Sequence, residues 1–298
     1  MFQTNLSHLA VFAAIARHGS FQKAATETGI STSAASHAIR GLEERLGVSL
    51  FHRTTRSVAL TEAGQRLLER LQPVLRDVTD ALEEMNNFRS TPTGTLRINT
   101  SRAAASLLIA PLLYRFLATY PEIRLEITDE DGLIDVVAAG FDAGIRLEES
   151  VPEDMVGVRI GGPQRFVLIG APDYLERHGV PQHPADLDRH NCIRFRFPSG
   201  RVYKWEFEQG DTRLEIDVKG QLTVGDQALA VRAALDGLGL AFTFESLVRA
   251  EIAQGRLVTV LDEWSPVFAG FMLYYPRQRQ MAPALRAFID MARSYLPG

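Results

Sequence analysis

One run of apolar residues, between positions 67 and 88, restricts how this chain can fold more than any other feature of its sequence. Apolar side chains recur there at alternating steps of three and four residues: Leu67, Leu71, Val74, Val78, Leu82, Met85 and Phe88. This spacing places them on one stripe of an α-helix and is typical of a coiled-coil seam. We therefore predict one long helix over residues 61–89, which opens at Thr61 and Glu62 and bends at Pro73.

A helix of this length has more apolar surface than the 60 residues before it can cover. Its stripe needs a second copy of the same helix, so we predict a homodimer formed through residues 61–89. The alternative is that the stripe packs against the C-terminal part of its own chain. In either case the helix divides the 298 residues into a small head, residues 1–60, and a larger body, residues 90–298.

The composition is that of an ordinary globular protein, with 46% hydrophobic and 23% charged residues. No apolar run reaches the roughly 18 residues of a membrane span, and the start of the chain shows no secretory signal, so we expect a cytoplasmic protein without a membrane partner. Cys192 is the only cysteine, which excludes an intramolecular disulfide and a multi-cysteine metal site. We interpret it as a small buried residue, with a redox sensor as the alternative.

The charge is distributed unevenly along the chain. The whole protein has a formal net charge of −4, but residues 1–60 contain six basic and three acidic side chains. A basic head on an acidic body is typical of a protein whose head binds a polyanion such as nucleic acid. The alternative is a chance cluster of charges on a solvated surface.

The head contains three helical patterns that are separated by glycines. The first covers residues 5–17. The second covers about 21–28, begins after the capping residue Ser20 and ends at Gly29. The third extends from Ser31 to Leu46 and is closed by a glycine. Two short helices joined by a tight glycine turn predict a helix-turn-helix.

The third helix has an apolar side and a polar side. Its apolar stripe consists of Ala35, Ile39, Leu42 and Leu46. The opposite side carries the residues that we predict to face the major groove of DNA: Thr32, Ser33, Ser36, His37 and Arg40. Ser31 is interpreted as a helix cap. A solvated surface position is the alternative for Arg40.

A short β-hairpin is predicted directly after this helix, in the segment GVSLFHRTTRSVALTEAG. Two arginines flank a pair of threonines at its tip. We predict that three residues of this wing contact phosphate or the minor groove: Arg53, Thr54 and Arg56.

Beyond residue 90, strand patterns alternate with helix patterns, which predicts an α/β body with largely parallel sheets. The order of the patterns suggests two lobes with double crossovers. Lobe I comprises about residues 91–163 and 266–298, and lobe II about 164–265. A cleft between the carboxyl ends of the strands is the expected ligand site.

The segment from Ser20 to Gly64 resembles the LysR-type transcriptional regulators. The matching positions are Ser20-Phe21, Ala24-Ala25, Gly29, Ile30-Ser31, Ala34, Ser36, Ile39, Leu42-Glu43, Leu46-Gly47, Leu50-Phe51, Arg53, Leu60-Thr61 and Gly64. GTLRI, YPEIRLEI, FDAGIRL and ALDGLGLAF extend the likeness over the body. The resemblance implies an α+β multi-domain protein: a winged helix-turn-helix, a linker helix that pairs two subunits, and a two-lobed effector domain resembling type 2 periplasmic binding proteins.

The resemblance also implies a mode of action. Family members usually act as homotetramers on an interrupted palindrome in double-stranded promoter DNA, and a small effector in the cleft alters DNA bending and activation. RNA polymerase is a further candidate partner. The sequence departs from the family in two places: Thr32-Ser33 stands where many relatives carry Gln-Pro, and His37 stands where arginine is frequent. Short hydroxyls and histidine discriminate bases less sharply than arginine or glutamine forks.

Candidate effector-binding residues lie at strand ends and helix starts that border the predicted cleft: Thr100, Ser101, Arg102, Asp129, Arg146, Asp226 and Phe244. We expect Arg102 and Arg146 to clamp a carboxylate of the effector, beside a helix N-terminus at Ser101. The nearby acids can instead neutralise these arginines, and for Asp226 a helix cap is the preferred interpretation. Trp205 is interpreted as core packing, with the border of the ligand site as the alternative.

The sequence predicts no enzyme. It contains no nucleophile elbow, phosphate loop, zinc-protease motif or dinucleotide fingerprint, its histidines have no metal-ligand spacing, and we predict neither catalytic residues nor a cofactor or metal. The main alternative function is a stand-alone small-metabolite-binding protein without sequence-specific DNA binding. That alternative leaves the basic head and the long helix without a role.

Overall fold

The structure is a computed structural model that describes residues 6–53, 58–84, 91–277 and 281–296, without the side chains of residues 53, 76–77 and 79–84. The chain separates into two compact units, Met1–Ser90 and Thr91–Gly298. The boundary between the two units coincides with the start of the predicted body.

The first unit contains the predicted three-helix head, hairpin and long helix. Its elements are α1 Leu6–His18, α2 Phe21–Thr28, α3 Thr32–Leu46, β1 Phe51–Arg53, β2 Val58–Leu60 and α4 Glu62–Glu84. Ser20 caps α2 and Ser31 caps α3, each through a side-chain oxygen that accepts a backbone N–H. Gly29 ends α2 in the left-handed region, with φ +69°, which a residue with a Cβ adopts reluctantly.

The core of the first unit lies between α1, α3 and the start of α4. Phe12, Ile15 and Ile39 are fully buried there, and Leu71 of α4 joins them. The predicted stripe of α3 is confirmed except at its end, where Leu46 is 47% exposed. Leu46 is the last residue of the helix, and Gly47 follows it as the C-cap.

The hairpin and α4 are joined by close backbone packing. β1 and β2 are antiparallel, with Phe51 opposite Leu60. Thr61 donates its hydroxyl to the carbonyl of Ser49 at 2.7 Å and accepts the N–H of Gly64 at 3.0 Å. Thr61 therefore ties the start of α4 to the segment that leads into the hairpin.

The second unit contains two α/β lobes. Its strands are β3 Gly94–Thr100, β4 Ile123–Asp129, β5 Ala143–Leu147, β6 Met155–Ile160, β7 Gln164–Gly170, β8 Cys192–Phe195, β9 Trp205–Gln209, β10 Thr212–Ile216, β11 Thr223–Val224, β12 Leu240–Phe244, β13 Val258–Val260, β14 Val267–Phe268 and β15 Phe271–Pro276. Its α-helices are α5 Arg102–Ala104, α6 Leu113–Thr119, α7 Val136–Ala139, α8 Pro172–His178, α9 Gln227–Leu235, α10 Glu245–Ala253 and α11 Pro283–Tyr295.

Lobe I is built on a five-stranded sheet with the order β4-β3-β5-β15-β6. β3 is parallel to β4 and β5, whereas β15 is antiparallel to both of its neighbours. The prediction of a largely parallel sheet therefore holds only for half of this lobe. The antiparallel half consists of β15 and β6. β15 enters the sheet as the chain returns from lobe II, and β6 pairs along β15. The sequence pattern did not reveal β6.

Lobe II is built on the order β11-β8-β12-β7-β13, with β14 also paired to β7, and carries the separate hairpin β9–β10. β12 is parallel to β8 and antiparallel to β7. β14 thus belongs to the lobe II sheet, although the predicted boundary at residue 266 assigns it to lobe I. The chain re-enters the lobe I sheet only at Phe271.

The helix predicted over Ala103–Thr119 is interrupted. It consists of α5, a π-helical turn at Ala105–Ile109, a 3-10 turn at Ala110–Leu112 and α6. By length and mean hydropathy of 1.2 alone, Arg102–Thr119 is apolar enough to span a membrane, contrary to the expectation from sequence. In the fold, its buried residues, among them Leu108 and Phe116, pack in the core of lobe I, as in the core helix of a globular domain.

Candidate functional site

The polar side of α3 is accessible over its whole length. Thr32, Ser33, His37 and Arg40 are exposed, and Ser36 is half-buried. On the opposite side Ala35 and the other core residues of the helix are buried. The structure therefore brings all five predicted DNA-facing residues of α3 to one accessible face.

The start of α3 is organised by its cap. Ser31 accepts the N–H of Ala34 at 3.1 Å, and its hydroxyl lies 2.9 Å from that of Ser33. This confirms the interpretation of Ser31 as a cap. A hydroxyl that is engaged by the helix itself is a weaker base-reading group than the free hydroxyl of Thr32.

The wing is confirmed as a hairpin, but its tip lies outside the described residues. Arg53 is the last residue of β1 and pairs with Val58. The side chain of Arg53 and the whole of Thr54 and Arg56 are not among the described parts of the chain. Their predicted contacts with phosphate stay predictions.

The predicted seam of α4 divides into two parts. Leu67 and Leu71 pack against the core of their own head, which the sequence analysis did not anticipate. Val74 is 51% exposed, and Val78 is half-buried. The side chain of Leu82, and Met85 and Phe88 entirely, lie outside the described residues. Of the predicted seam residues that the structure describes, Val74 is the first that the head does not cover.

The second unit contains a cavity of about 1300 Å³ that both lobes line. Aromatic rings dominate its wall: Phe166, Phe195, Phe197, Tyr203, Phe242, Phe244, Phe268 and Phe271. Phe166 lies at the centre, with ring centroids 4.3 Å from Phe244 and 5.2 Å from Phe242. Such a wall favours an aromatic or apolar ligand body.

Arg102 lines this cavity but is engaged by the chain itself. Its guanidinium donates to the carbonyl of Gly225 at 2.6 Å and lies 3.7 Å from Asp131. Its backbone N–H donates to Asp131 at 3.0 Å. A carboxylate of the protein therefore already occupies the helix N-terminus at Ser101, where the sequence analysis expected the carboxylate of a ligand.

Arg146 is only 4% exposed, and burial lowers its pKa. Its guanidinium donates to the side chain of Asn99 at 2.5 Å and to the backbone carbonyls of Glu130 and Gly132 at 3.0 and 2.8 Å. Both guanidinium groups are thus engaged by their own chain, whereas Nε of Arg146 is buried without a hydrogen-bond partner among the described residues. The predicted clamp of Arg102 and Arg146 on an effector carboxylate stays a prediction.

The other candidate effector residues occupy different positions. Phe244 lies in the cavity wall, as predicted. Thr100 is fully buried at the end of β3, and Asp129 is exposed at the end of β4, both outside the cavity lining. Asp226 caps α9 by accepting the N–H of Leu229 at 3.1 Å, which confirms the preferred interpretation. Trp205 is buried in the core of lobe II and does not border the cavity.

Cys192 is fully buried, and burial raises the pKa of its thiol to about 12. A thiol that stays protonated and inaccessible is chemically inert, which supports its interpretation as a core residue. Among the described residues, no three histidine, cysteine or acidic side chains are grouped so that they could hold a metal ion.

Family models match both parts of the chain. The model described as bacterial regulatory helix-turn-helix protein, lysR family, matches residues 6–65, and the LysR substrate binding domain matches residues 89–297. The chain belongs to the LysR family of transcriptional regulators. As a LysR-type regulator it combines a DNA-binding helix-turn-helix with an effector-binding domain.

Relatives match this LysR-type regulator over nearly its full length. The uncharacterized HTH-type transcriptional regulator YcaN of Escherichia coli (strain K12) is 44% identical over 290 residues, 97% of this chain and 95% of that protein. The HTH-type transcriptional regulator PgrR of the same strain is 38% identical over 291 residues, 97% of each chain.

Solved structures share the fold. CrgA, a LysR-type transcriptional regulator from Neisseria meningitidis, has a TM-score of 0.62 and 29% identity, covering 99% of this chain and all of that one. The full-length virulence activator AphB of Vibrio cholerae has a TM-score of 0.66 and 23% identity, covering 98% and 99%.

Two groups of cleft residues in this LysR-type regulator were missed by sequence reasoning. One is the aromatic wall around Phe166, of which only Phe244 was predicted. The other is a pair of carboxylates, Glu149 from lobe I and Glu206 from lobe II. The alternation in WEFEQ, which buries Trp205 and Phe207 and leaves Glu206 on the opposite face, was the available signal for the second group.

Proposed function

We propose that this LysR-type regulator binds an interrupted palindrome in promoter DNA as a homo-oligomer, with the polar face of α3 in the major groove. The observation that carries the proposal is the joint exposure of Thr32, Ser33, His37 and Arg40 on one side of a helix whose other side is core. The N-terminal residues of a recognition helix are those that contact base edges.

Two copies are paired through α4 in this proposal, from Val74 onward. An isologous pair presents two copies of α3 to the two halves of a palindrome. Two such dimers associate to the homotetramer, which acts in the cytoplasm and contacts RNA polymerase as a candidate partner. From the wing, Arg53, Thr54 and Arg56 contact phosphate or the minor groove.

A small effector binds in the cleft in this proposal and changes how the regulator acts on DNA. Ser101, Arg102, Arg146 and Phe244 border the cavity, whereas Thr100, Asp129 and Asp226 lie outside its lining. A stand-alone metabolite-binding protein is disfavoured, because such a protein has no use for an accessible recognition helix of the LysR family.

The proposal is tested by replacing Arg40 with alanine and titrating the protein onto the DNA upstream of its own gene in a mobility-shift assay. Loss of one base-reading arginine costs about 1–3 kcal/mol, so we expect affinity to fall by roughly 5- to 150-fold. Arg66→Ala is the matched control, since Arg66 is an exposed cation on α4 that pairs with Glu62 at 2.8 Å.

An equal loss of affinity in both variants would show that Arg40 contributes only to the overall charge. Unchanged affinity of Arg40→Ala at physiological salt would remove α3 from the interface. The salt dependence of the wild-type shift reports how many phosphates are neutralised, independently of base reading.

A further inference from the structure

One side of the cleft combines the aromatic wall with carboxylates from both lobes. Glu206 is on β9 of lobe II, and Glu149 is in the 3-10 turn Glu148–Ser150 that follows β5 of lobe I. Both line the same cavity as Phe166 and Tyr203, whose ring centroids are 6.1 Å apart. Both carboxylates are accessible to a molecule in the cleft.

These two carboxylates differ from the other acids of the cavity. Asp131 lies 3.7 Å from Arg102, Glu208 lies 2.9 Å from Arg213, and Glu215 lies 3.8 Å from Lys204. Within the part of the chain that the structure describes, neither Glu149 nor Glu206 forms an ion pair with a basic side chain. The cleft therefore holds two carboxylates that lack a counter-charge at contact distance.

Glu206 lies close to two other carboxylates and to one arginine. Partial burial raises the pKa of Glu206, and the negative charges of Glu215 and Glu149 raise it further. Arg201 opposes the shift only in part; its guanidinium lies 5.1 Å from the ring centroid of Phe197. A cation that enters this side of the cleft relieves the repulsion between like charges.

A buried acceptor supports the same conclusion. Gln227 lines the cavity, and its side-chain carbonyl oxygen is buried and accepts no hydrogen bond from the described residues. An N–H donor of a ligand can satisfy this buried oxygen.

We propose that the effector carries an ammonium group on an aromatic or apolar body, with the ammonium between Glu149 and Glu206 and the body against Phe166 and Tyr203. The inference rests on the proposed function, in which the cleft is the effector site. Aromatic faces and carboxylates both attract a cation, and the apolar body buries ring surface. Because the two carboxylates belong to different lobes, the bound cation also draws lobe I and lobe II together.

The test measures the binding of three matched probes to the full chain by isothermal titration calorimetry: 2-phenylethylammonium, 2-phenylethanol and 3-phenylpropanoate. We expect the ammonium to bind more tightly than the carboxylate by at least about tenfold. Glu206→Gln is expected to lower the affinity for 2-phenylethylammonium by about fivefold or more and to leave the affinity for 2-phenylethanol unchanged. Glu251→Gln, on α10 of lobe II, is the matched control and is expected to change neither, because Glu251 pairs with Arg256 at 3.4 Å and lies outside the cavity lining.

Tighter binding of the carboxylate, equal binding of the ammonium to wild type and Glu206→Gln, or no binding of any probe would overturn the inference. A further outcome is that the carboxylate binds to wild type and that Phe166→Ala abolishes this binding. The cleft would then remain the effector site, but the effector would not carry an ammonium group. The proposed DNA-binding function is measured separately, through the mobility shift of Arg40→Ala. A failure of the ammonium proposal can therefore be distinguished from a failure of the proposed DNA-binding function.

Discussion

Arg146 is a buried cation that holds the floor of the cleft together. Its guanidinium reaches the side chain of Asn99 and the backbone carbonyls of Glu130 and Gly132, which belong to the segment after β4. A planar fork of five donors suits these acceptors, which lie in different directions. Arg146 therefore fixes the segment that carries Asp131 and, through it, the position of Arg102.

Arg146→Lys is expected to lower the free energy of unfolding of the second unit by about 1–3 kcal/mol. The three N–H donors of a lysine cannot satisfy all four acceptors, which include the carbonyl of Ile145 at 2.8 Å. Thermal unfolding followed by circular dichroism measures the loss. Arg159→Lys is the matched control, since Arg159 pairs with Glu148 on the surface at 2.9 Å. Equal melting temperatures for the two variants would contradict the role of Arg146.

The sequence predicted the contacts that a residue makes with near neighbours in the chain. It did not predict contacts between residues that are far apart in the chain. Ser31 and Asp226 cap helices whose N–H groups lie three positions further along the chain. The partners of Arg146 lie 14, 16 and 47 positions away. No pattern within a short window reveals such contacts, so the arginine was assigned to a ligand.

At the scale of elements, the connection between the wing and α4 depends on the close approach of Gly64 to the backbone of Leu50. A Cβ at Gly64 would lie 2.1 Å from the backbone carbonyl oxygen of Leu50, so only glycine fits there. Thr61 fixes the same connection through its hydroxyl. This contact accounts for the spacing of Leu60-Thr61 and Gly64 that the sequence shares with the family.

Gly64→Ala is expected to destabilise the first unit by about 1–3 kcal/mol, because either the wing or α4 must move to admit the methyl group. Differential scanning fluorimetry measures the effect. At Gly41, which is on α3, an added Cβ meets nothing within 4 Å, so Gly41→Ala should keep or raise the melting temperature. A Gly64→Ala protein as stable as wild type would show that the connection is loose.

Elements with strong periodicity were predicted well and short ones were not. The three head helices and the hairpin appear where the pattern places them. The sequence patterns missed three strands: β6, β11 and β13. β11 and β13 have only two or three residues, which is too few to show an alternation of apolar and polar side chains. In β6 the alternation is interrupted by Gly157. The π-helical turn at Ala105–Ile109 has no sequence signal of its own.

At the scale of the whole molecule, the seam of α4 is the feature on which assembly depends. Leu67 and Leu71 are used by the head itself, so a partner helix has to pack from Val74 onward. Val74 is 51% exposed, which places an apolar side chain in water unless a second copy covers it. In the proposed function, pairing of two α4 helices places two copies of α3 on the two halves of a palindrome.

Footprinting of wild type and Val74→Glu on the DNA upstream of the gene tests this most directly. A dimer whose two α3 helices enter successive major grooves protects two blocks related by a dyad, about 34 Å apart or a multiple of that distance. We predict this pattern for wild type and its loss for Val74→Glu at the same concentration. One uninterrupted block, protection no greater than on random DNA, or the same two blocks from Val74→Glu would contradict the account.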